Sequence, residues 1–268
     1  MEHLLKAAVQ AALEAGREIM RIYLDPKQRF CIETKTDNSP LTRADKAAHR
    51  SIVSLLSSTG IPILSEEGET PPYETRREWN RLWLVDPLDG TKEFIKKNDE
   101  FTVNIALVED GTPVLGVVYV PATGVFYAGA KGLGAYKGKG ERSKTNPLIP
   151  CYSLLTTSPL PLLSRTPSAF TIVASRSHLS PETEAYIEAK RAEHSKVEVV
   201  SIGSSLKMCL VAEGTADEYP RFAPTMEWDT AAGDAIARTA GRKVVDARTG
   251  EPLTYNKYDL HNPWFVVR

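Results

Sequence analysis

The chain is built around the segment Leu82-Trp83-Leu84-Val85-Asp86-Pro87-Leu88-Asp89-Gly90-Thr91-Lys92-Glu93-Phe94. Its first four residues form an apolar run bounded by turn residues, which is typical of a strand that is covered on both faces. We expect Asp86-Pro87 to end this strand abruptly. Gly90 permits a tight turn, and residues 91–94 have the pattern of the first turn of a short helix. The sequence therefore predicts a buried strand that leads directly to a helix N-terminus.

Two carboxylates, Asp86 and Asp89, lie close together in this turn. They would repel each other unless a cation lay between them, and carboxylate oxygens are the ligands that Mg²⁺ prefers. The free N–H groups of the helix that begins at Thr91 would point towards an anion. The segment therefore predicts a metal site beside a phosphate site. The alternative is an Asp-rich turn whose carboxylates are solvated, and this segment alone does not decide between the two.

The composition is that of an ordinary globular protein. Of the 268 residues, 42% are hydrophobic, which is enough to bury a core as one large domain or two domains in close contact. Because the chain has 33 basic and 34 acidic residues, the sequence predicts no broad basic surface that would bind nucleic acid or an anionic membrane. We find no apolar region for a signal peptide or membrane span, and we expect a cytoplasmic monomer or homodimer. Peripheral association with the inner membrane is left open.

The number and spacing of the cysteines also predict a cytoplasmic protein. They are odd in number, far apart and without metal-ligand spacing, which suggests reduced thiols in the cytosol. The three are Cys31, Cys151 and Cys209.

Two helices are predicted in the first sixty residues. Apolar residues recur at helical spacing over residues 2–24, which predicts an amphipathic helix. The polar, turn-rich stretch 33–45 leads to a second helix that begins near Thr42 or Asp45. Asp45 is either a first-turn acid that complements the helix dipole or a functional carboxylate.

A third carboxylate is predicted beside Asp86. The short apolar strand over residues 61–64 ends at Glu66-Glu67, just as residues 82–85 end at Asp86. If the two strands are neighbours in one sheet, Glu66 lies beside Asp86. The alternative is a pair of surface glutamates in a loop.

An antiparallel meander is predicted next. The runs 101–108, 114–120 and 125–130 are rich in β-forming residues, and residues 109–112 are a strong hairpin signal.

The domain boundary is predicted within residues 131–168. This stretch is rich in Gly, Pro, Ser and Thr, which favours an exposed connection. We place a metal- and phosphate-binding half at residues 1–145 and a half that contributes nucleotide contacts and the last metal ligand at residues 146–268.

Strands and helices alternate in the second half, which indicates layered sheets with helices between and outside them. Strands are predicted from Thr171 and over residues 197–202, and Ser180-Pro181 opens a helix with a capping serine. Residues 203–205 lead into a helix that carries Lys207.

A last helix is predicted from the motif Trp228-Asp229-Thr230-Ala231-Ala232-Gly233, with Asp229 at or next to its N-cap. Asp229 is therefore either a plain capping residue or a functional carboxylate.

Three motifs occur in a specific order: Glu66-Glu67, residues 86–91 and residues 228–233. Together they resemble the inositol monophosphatase superfamily of Mg²⁺-dependent phosphatases. Within it, four further segments resemble the bacterial 3′(2′),5′-bisphosphate nucleotidases of the CysQ type. They are residues 91–94, 174–178, 203–207 and 219–225. The resemblance is weakest over residues 137–168, and Ala223 stands where the family has Gly.

The resemblance implies an α/β fold, an αβαβα sandwich of two sheets with interleaved helices. It implies two or three Mg²⁺ ions, held by Glu66, Asp86, the Leu88 carbonyl, Asp89 and Asp229. It also implies that Asp45 orients Thr91, and that Thr91 and Glu66 position the attacking water. The implied substrate-binding residues are Gly90, Thr91, Ser177, His178, Ser204, Lys207 and Arg221. For His178, a surface histidine is the alternative.

The function expected from this resemblance is removal of the 3′-phosphate from adenosine 3′,5′-bisphosphate, with inhibition by Li⁺ and a role in sulfur metabolism. An inositol or sugar phosphatase would use the same metal site. The pair of Lys207 and Arg221 is the feature that distinguishes a nucleotidase from these phosphatases, because the pair suits a second phosphate or a purine. A non-catalytic nucleotide or Mg²⁺ sensor would not need Asp45 and Thr91.

Overall fold

The computed structural model describes residues 1–25, 33–34, 40–142, 150–161, 169–175 and 180–268. The helices are α1 (Glu2–Tyr23), α2 (Arg43–Leu56), α3 (Tyr73–Arg76), α4 (Thr91–Lys96), α5 (Pro181–Glu193), α6 (Leu206–Glu213) and α7 (Glu227–Thr239). The strands are β1 (Glu33–Thr34), β2 (Pro40–Leu41), β3 (Ile63–Ser65), β4 (Arg81–Asp89), β5 (Thr102–Glu109), β6 (Thr112–Val120), β7 (Val125–Ala130), β8 (Gly134–Arg142), β9 (Pro150–Pro159), β10 (Phe170–Ser175), β11 (Val197–Ile202), β12 (Tyr219–Arg221), β13 (Val244–Asp246) and β14 (Phe265–Val267).

A seven-stranded sheet forms the centre of the molecule, with the strand order β3-β4-β5-β6-β7-β8-β9. The β3 and β4 strands are parallel, and every later pair is antiparallel. The predicted meander is therefore confirmed.

The meander continues into the region that the sequence predicted to be an exposed connection, and this expectation was wrong for β8 and β9. Gly138 is opposite Phe126 in the β7–β8 ladder, and a Cβ at Gly138 would lie 2.2 Å from the Phe126 ring. The glycine therefore makes room for an aromatic ring within the sheet, which a turn signal does not distinguish. Since β9 lies beyond residue 145, the predicted C-terminal half supplies the last strand of the N-terminal sheet.

Helices α1 and α2 cover one face of this sheet. Leu13, Ile19 and Ile52 are buried there in one cluster with Trp83 and Ile105 of the sheet. Leu82 and Leu84, which alternate with Trp83, lie in a second buried cluster on the opposite face. The apolar run at the start of β4 is thus covered on both faces, as the sequence predicted. Across the described ranges, no helix is long and apolar enough to span a membrane.

Helices α6 and α7 cover the second face and separate it from a smaller sheet. In that sheet β10 and β11 are parallel, β12, β14 and β13 are antiparallel, and a bridge from Ile172 to Glu218 joins the two groups. Helix α5 contacts β12 on the outer side. The layers alternate between helices and sheets, so the predicted αβαβα sandwich is confirmed.

The end of β4 differs from the prediction. The strand does not stop at Asp86-Pro87 but continues to Asp89, with a shift in its pairing to β5 between Asp86 and Asp89. The pairing with β3 ends at Val85, so the N–H that Pro87 lacks is not needed there. The irregularity places both aspartates at the edge where β3 ends.

The close approach of α7 to the central sheet depends on glycine. A Cβ at Gly116 in β6 would lie 2.1 Å from the Ala232 carbonyl oxygen of α7, whereas one at Gly129 in β7 would lie 3.1 Å from the Ile236 Cα. A backbone atom cannot rotate away as a side chain can, so a methyl group at residue 116 must displace the helix.

We expect Gly116→Ala to lower the free energy of unfolding by about 3 kcal/mol and Gly129→Ala by about 1 kcal/mol, because overpacking costs more where the contact is closer. Urea unfolding of both variants and the wild type measures this. Equal losses in the two variants would show that the closeness of the contact with α7 does not determine the loss.

Candidate active site

The carboxyl ends of β3 and β4 bring Glu66 and Asp86 together. The two strands are parallel and pair through Ser65 and Val85, and the Glu66 N–H donates to the Val85 carbonyl at 3.0 Å. The structure therefore places Glu66 beside Asp86, as the sequence predicted, instead of in a separate surface loop.

Asp86 is buried at this edge, with 2% of its surface exposed. Its Oδ1 accepts the N–H of Leu88 at 3.0 Å. Burial raises the pKa of Asp86 well above its ordinary value, and the negative charges of Glu66, Asp89 and Asp229 raise it further. Four predicted ligands thus lie within electrostatic reach of one another.

Asp229 reaches this group from α7. The N-cap of α7 is Met226, so Asp229 is the third residue of the helix. The sequence predicted Asp229 at or next to the N-cap, and that placement was wrong. Its Oδ2 accepts the N–H of Met226 at 2.8 Å, which is how an acid at this position satisfies a helix N-terminus. Burial and the charges of Asp89 and Glu66 raise its pKa well above the ordinary range. Asp229 is therefore both a capping residue and part of the acidic group.

The donor chemistry of this group fits a hard divalent cation. In the described part of the chain, no three His, Cys, Asp or Glu side chains are arranged so that they could hold a metal ion as they stand. The four acids offer oxygen donors only, and their mutual repulsion raises the pKa of Asp86 and of Asp229. A divalent cation among them would relieve that repulsion.

Asp45 and Thr91 meet beside the acids. Thr91 Oγ1 lies 3.2 Å from Asp45 Oδ1 and 3.3 Å from the Leu88 carbonyl oxygen. Asp45 Oδ2 accepts the backbone N–H of Thr42 at 2.7 Å and its hydroxyl at 2.6 Å, at the start of α2. One oxygen of Asp45 therefore caps α2, and the other contacts Thr91.

The acids open onto a cavity of about 330 Å³, a size that suits a small-molecule ligand. The predicted site residues that line it are Glu66, Asp89, Gly90, Thr91, Ser204, Lys207, Arg221 and Asp229. Gly90 adopts a φ of +90° immediately before α4, a conformation that L side chains rarely adopt. Ser177 and His178 lie outside the described residues, as does Cys31, whereas Cys209 is a buried free thiol.

A buried pair of cations lies in the same cavity as the acids. The Lys207 Nζ donates to the carbonyl oxygens of Ser204 and Ile202, and burial lowers its pKa from 10.5 to about 8, against the opposing charge of Asp89. Arg221 lowers the pKa of Lys207 further through its positive charge. The Arg221 Nη2 donates to the Pro224 carbonyl, but its Nε is buried without a hydrogen-bond partner. The cavity therefore contains donor capacity that the protein itself does not use.

Ser204 supplies a further unused group. Its Oγ is buried without a partner, and its φ of +49° lies in the left-handed region. A non-glycine residue in that region is uncommon, and such residues cluster at ligand sites.

Sequence reasoning missed two residues that contact Asp89, namely Asn104 and Ser205. Ser205 Oγ donates to Asp89 Oδ2 at 2.7 Å, and Asn104 Nδ2 lies 3.4 Å from the same oxygen. Asn104 is fully buried in the otherwise apolar run of β5. A polar residue in the middle of a buried strand was the available signal, because such groups need partners.

Known proteins resemble this chain over nearly its whole length. The sequence profile of the Inositol monophosphatase family matches residues 1–263. The chain belongs to this family. A 3′(2′),5′-bisphosphate nucleotidase CysQ from Shigella flexneri is 46% identical to this family member over 267 residues, which cover 98% of this chain and 99% of that protein.

Solved structures of the family have the same fold. The crystal structure of CysQ from Bacteroides thetaiotaomicron is 53% identical and gives a TM-score of 0.88, covering 100% of this chain and 97% of that chain. The extragenic suppressor protein suhB from Bartonella henselae is 25% identical and gives a TM-score of 0.73, covering 99% of this chain and 93% of that chain. The predicted family, with its likeness to CysQ proteins, is confirmed.

The lowered pKa of Lys207 predicts a pH-dependent stability. Between about pH 8 and pH 10.5 the unfolded chain keeps this proton and the folded chain loses it, so stability rises with pH. Relative to Lys207→Met, which does not titrate, the wild type should gain on the order of 2 kcal/mol from pH 8 to pH 10. Urea unfolding at both pH values measures the difference. The exposed Lys243→Met is the control, and parallel pH profiles for all three proteins would contradict the burial of a charged Lys207.

Proposed function

We propose that this chain is a Mg²⁺-dependent 3′(2′),5′-bisphosphate nucleotidase that converts adenosine 3′,5′-bisphosphate to AMP and phosphate. The observation that carries the proposal is a single cavity lined both by acids, including Glu66 and Asp229, and by the buried cations Lys207 and Arg221. An acidic group suits metal-assisted attack on one phosphate, and a cationic pair suits a second phosphate. Relatives at 45–46% identity carry the name of this activity.

The residues that would hold Mg²⁺ are Glu66, Asp86, the Leu88 carbonyl, Asp89 and Asp229. Bound there, Mg²⁺ supplies charge neutralisation at the phosphate and activation of a water for attack. The raised pKa values of Asp86 and Asp229 support this assignment. No positive charge offsets burial and repulsion at Asp86, and the charge of Arg221 only partly offsets them at Asp229.

Thr91 would orient the attacking water. Its hydroxyl lies 3.2 Å from Asp45 Oδ1, which can accept the hydroxyl hydrogen and leave the lone pairs of Thr91 directed at water. Asp45 is 1% exposed and is fixed by Thr42, so the pair is held in one orientation. Glu66 would take part in positioning the same water, and the backbone N–H groups of Gly90 and Thr91 would hold the scissile phosphate.

Lys207 and Arg221 would bind the substrate away from the scissile phosphate. Two cations in mutual repulsion gain from an anion between them, and Arg221 Nε has a hydrogen to donate. Ser204, whose hydroxyl also lacks a partner, would add a neutral donor.

An inositol or sugar phosphatase is the second candidate. The solved inositol monophosphatase from Anabaena is 25% identical to this chain with a TM-score of 0.69, so the fold alone does not select the substrate. A non-catalytic sensor would have no need of the contact between Asp45 and Thr91. Inhibition by Li⁺, cytoplasmic location, oligomeric state and membrane association stay predictions.

Removal of the metal should abolish activity. We expect no turnover in excess EDTA and full recovery with added Mg²⁺. Asp229→Asn keeps an oxygen acceptor for the Met226 N–H but removes a ligand charge, so kcat/KM at modest Mg²⁺ should fall by more than the roughly 100-fold that an outer-shell loss costs. Circular dichroism checks the fold, and Glu69→Gln, an exposed acid nearby, is the control. Near wild-type activity of Asp229→Asn would show that Asp229 is not a ligand.

Substrate choice should depend on the cations. Lys207→Ala and Arg221→Ala should each reduce kcat/KM for adenosine 3′,5′-bisphosphate. The expected loss of transition-state stabilisation is roughly 1.5–3 kcal/mol, the value of a charge-assisted hydrogen bond. The kcat/KM for inositol 1-phosphate should barely change. Phosphate release from both substrates at saturating Mg²⁺ measures this, with Lys243→Ala as the control for loss of a surface charge. Equal losses on both substrates would assign the residues to the fold. A wild-type preference for inositol 1-phosphate would favour the second candidate.

A further inference from the structure

The hydrogen bonds to Asp89 are unevenly distributed between its two carboxylate oxygens. Oδ2 accepts from Ser205 Oγ at 2.7 Å and lies 3.4 Å from Asn104 Nδ2 and 3.5 Å from Thr102 Oγ1. Within the described ranges, none of the hydrogen bonds to Asp89 falls on Oδ1. The protein therefore engages one oxygen and leaves the other to a ligand.

Ser205 also connects Asp89 to the opposite end of the chain. Its Oγ lies 2.6 Å from the backbone carbonyl oxygen of Asp229 in α7, while it lies 2.7 Å from Asp89 Oδ2 at the end of β4. One hydroxyl thus bridges the two residues that the proposed function assigns as ligands from different halves of the protein.

Asn104 determines how this hydroxyl is oriented. Asn104 Nδ2 donates to Ser205 Oγ at 2.9 Å and thereby occupies a lone pair of that oxygen. Ser205 has a single hydrogen, which must then point towards Asp89 or Asp229. A carboxylate is the stronger acceptor, so the hydrogen is directed at Asp89 Oδ2. Both side chains are buried, at 0% exposure for Asn104 and 5% for Ser205, so the hydrogen bond between them is shielded from bulk water.

From this network we infer that Asn104 and Ser205 are positioning residues for the cation site. They bind Asp89 Oδ2, present Asp89 Oδ1 to the cation, and fix Asp89 relative to Asp229. Outer-shell partners of this kind orient metal ligands, and their loss typically costs about 10–100-fold in metal affinity. The inference rests on the proposed function, because it concerns the same cation.

The test is calorimetric titration of Mg²⁺ into the free protein, without substrate. We expect Ser205→Ala to raise the Kd for Mg²⁺ by about 10–100-fold. Ser205→Cys keeps the shape of the side chain with a weaker donor, so its Kd should fall between those of the wild type and Ser205→Ala. The cysteine variant also provides a folded protein if the alanine variant does not fold.

The matched control is Tyr127→Phe. The Tyr127 hydroxyl is buried and donates to Glu213, another buried carboxylate, at 2.9 Å, and neither residue lines the cavity. Its removal should lower the melting temperature in the absence of Mg²⁺ and leave the Kd unchanged. A merely structural Ser205 would behave in the same way.

Three outcomes separate the claims. The order wild type, Ser205→Cys, Ser205→Ala in rising Kd supports the inference. Equal Kd values for these three proteins overturn it and leave the proposed function in place. If the wild type itself does not bind Mg²⁺, the proposed function is wrong, and the inference is overturned with it.

Discussion

The mutual repulsion of a few buried carboxylates is the constraint on which the rest of the structure depends. Asp86 is almost fully removed from water and faces the charges of Glu66, Asp89 and Asp229, so the fold holds together groups that would otherwise separate. Burial of unpaired charge is expensive, and proteins retain it where a ligand or a metal compensates for it. The energetic cost of folding this edge of the sheet is therefore linked to what binds there.

The architecture accounts for how acids from distant parts of the chain meet. Parallel pairing of β3 with β4 brings Glu66 to Asp86, and the irregular end of β4 adds Asp89. The helix α7 contributes Asp229 because it packs closely on the sheet, where the lack of a side chain at Gly116 leaves room for the Ala232 carbonyl. The two sheets and the helices between them thus hold these four acidic side chains close together.

Much of this arrangement could be predicted from the sequence, because the signals were local or ordered along the chain. The apolar run before Asp86, the hairpin signal at residues 109–112 and the capping Ser180 each correspond to an observed element. The β8 and β9 strands were missed because glycine was interpreted as a turn signal, although Gly138 accommodates a neighbouring ring. Asn104 and Ser205 were missed because the hydrogen bond that joins them spans 101 residues of sequence, a separation that periodicity does not report.

The burial of Lys207 has a consequence for selectivity. Burial lowers its pKa to about 8, because the interior is an unfavourable place for an ammonium ion, and the positive charge of Arg221 lowers the pKa further. An arriving dianion removes that penalty, whereas a neutral hydroxyl group of a sugar or an inositol ring leaves it in place. Under the proposed function, a phosphorylated substrate is therefore favoured because it relieves this repulsion, in addition to the contacts that it makes with the cavity. Preorganised charge of this kind rejects a poor ligand without any steric clash.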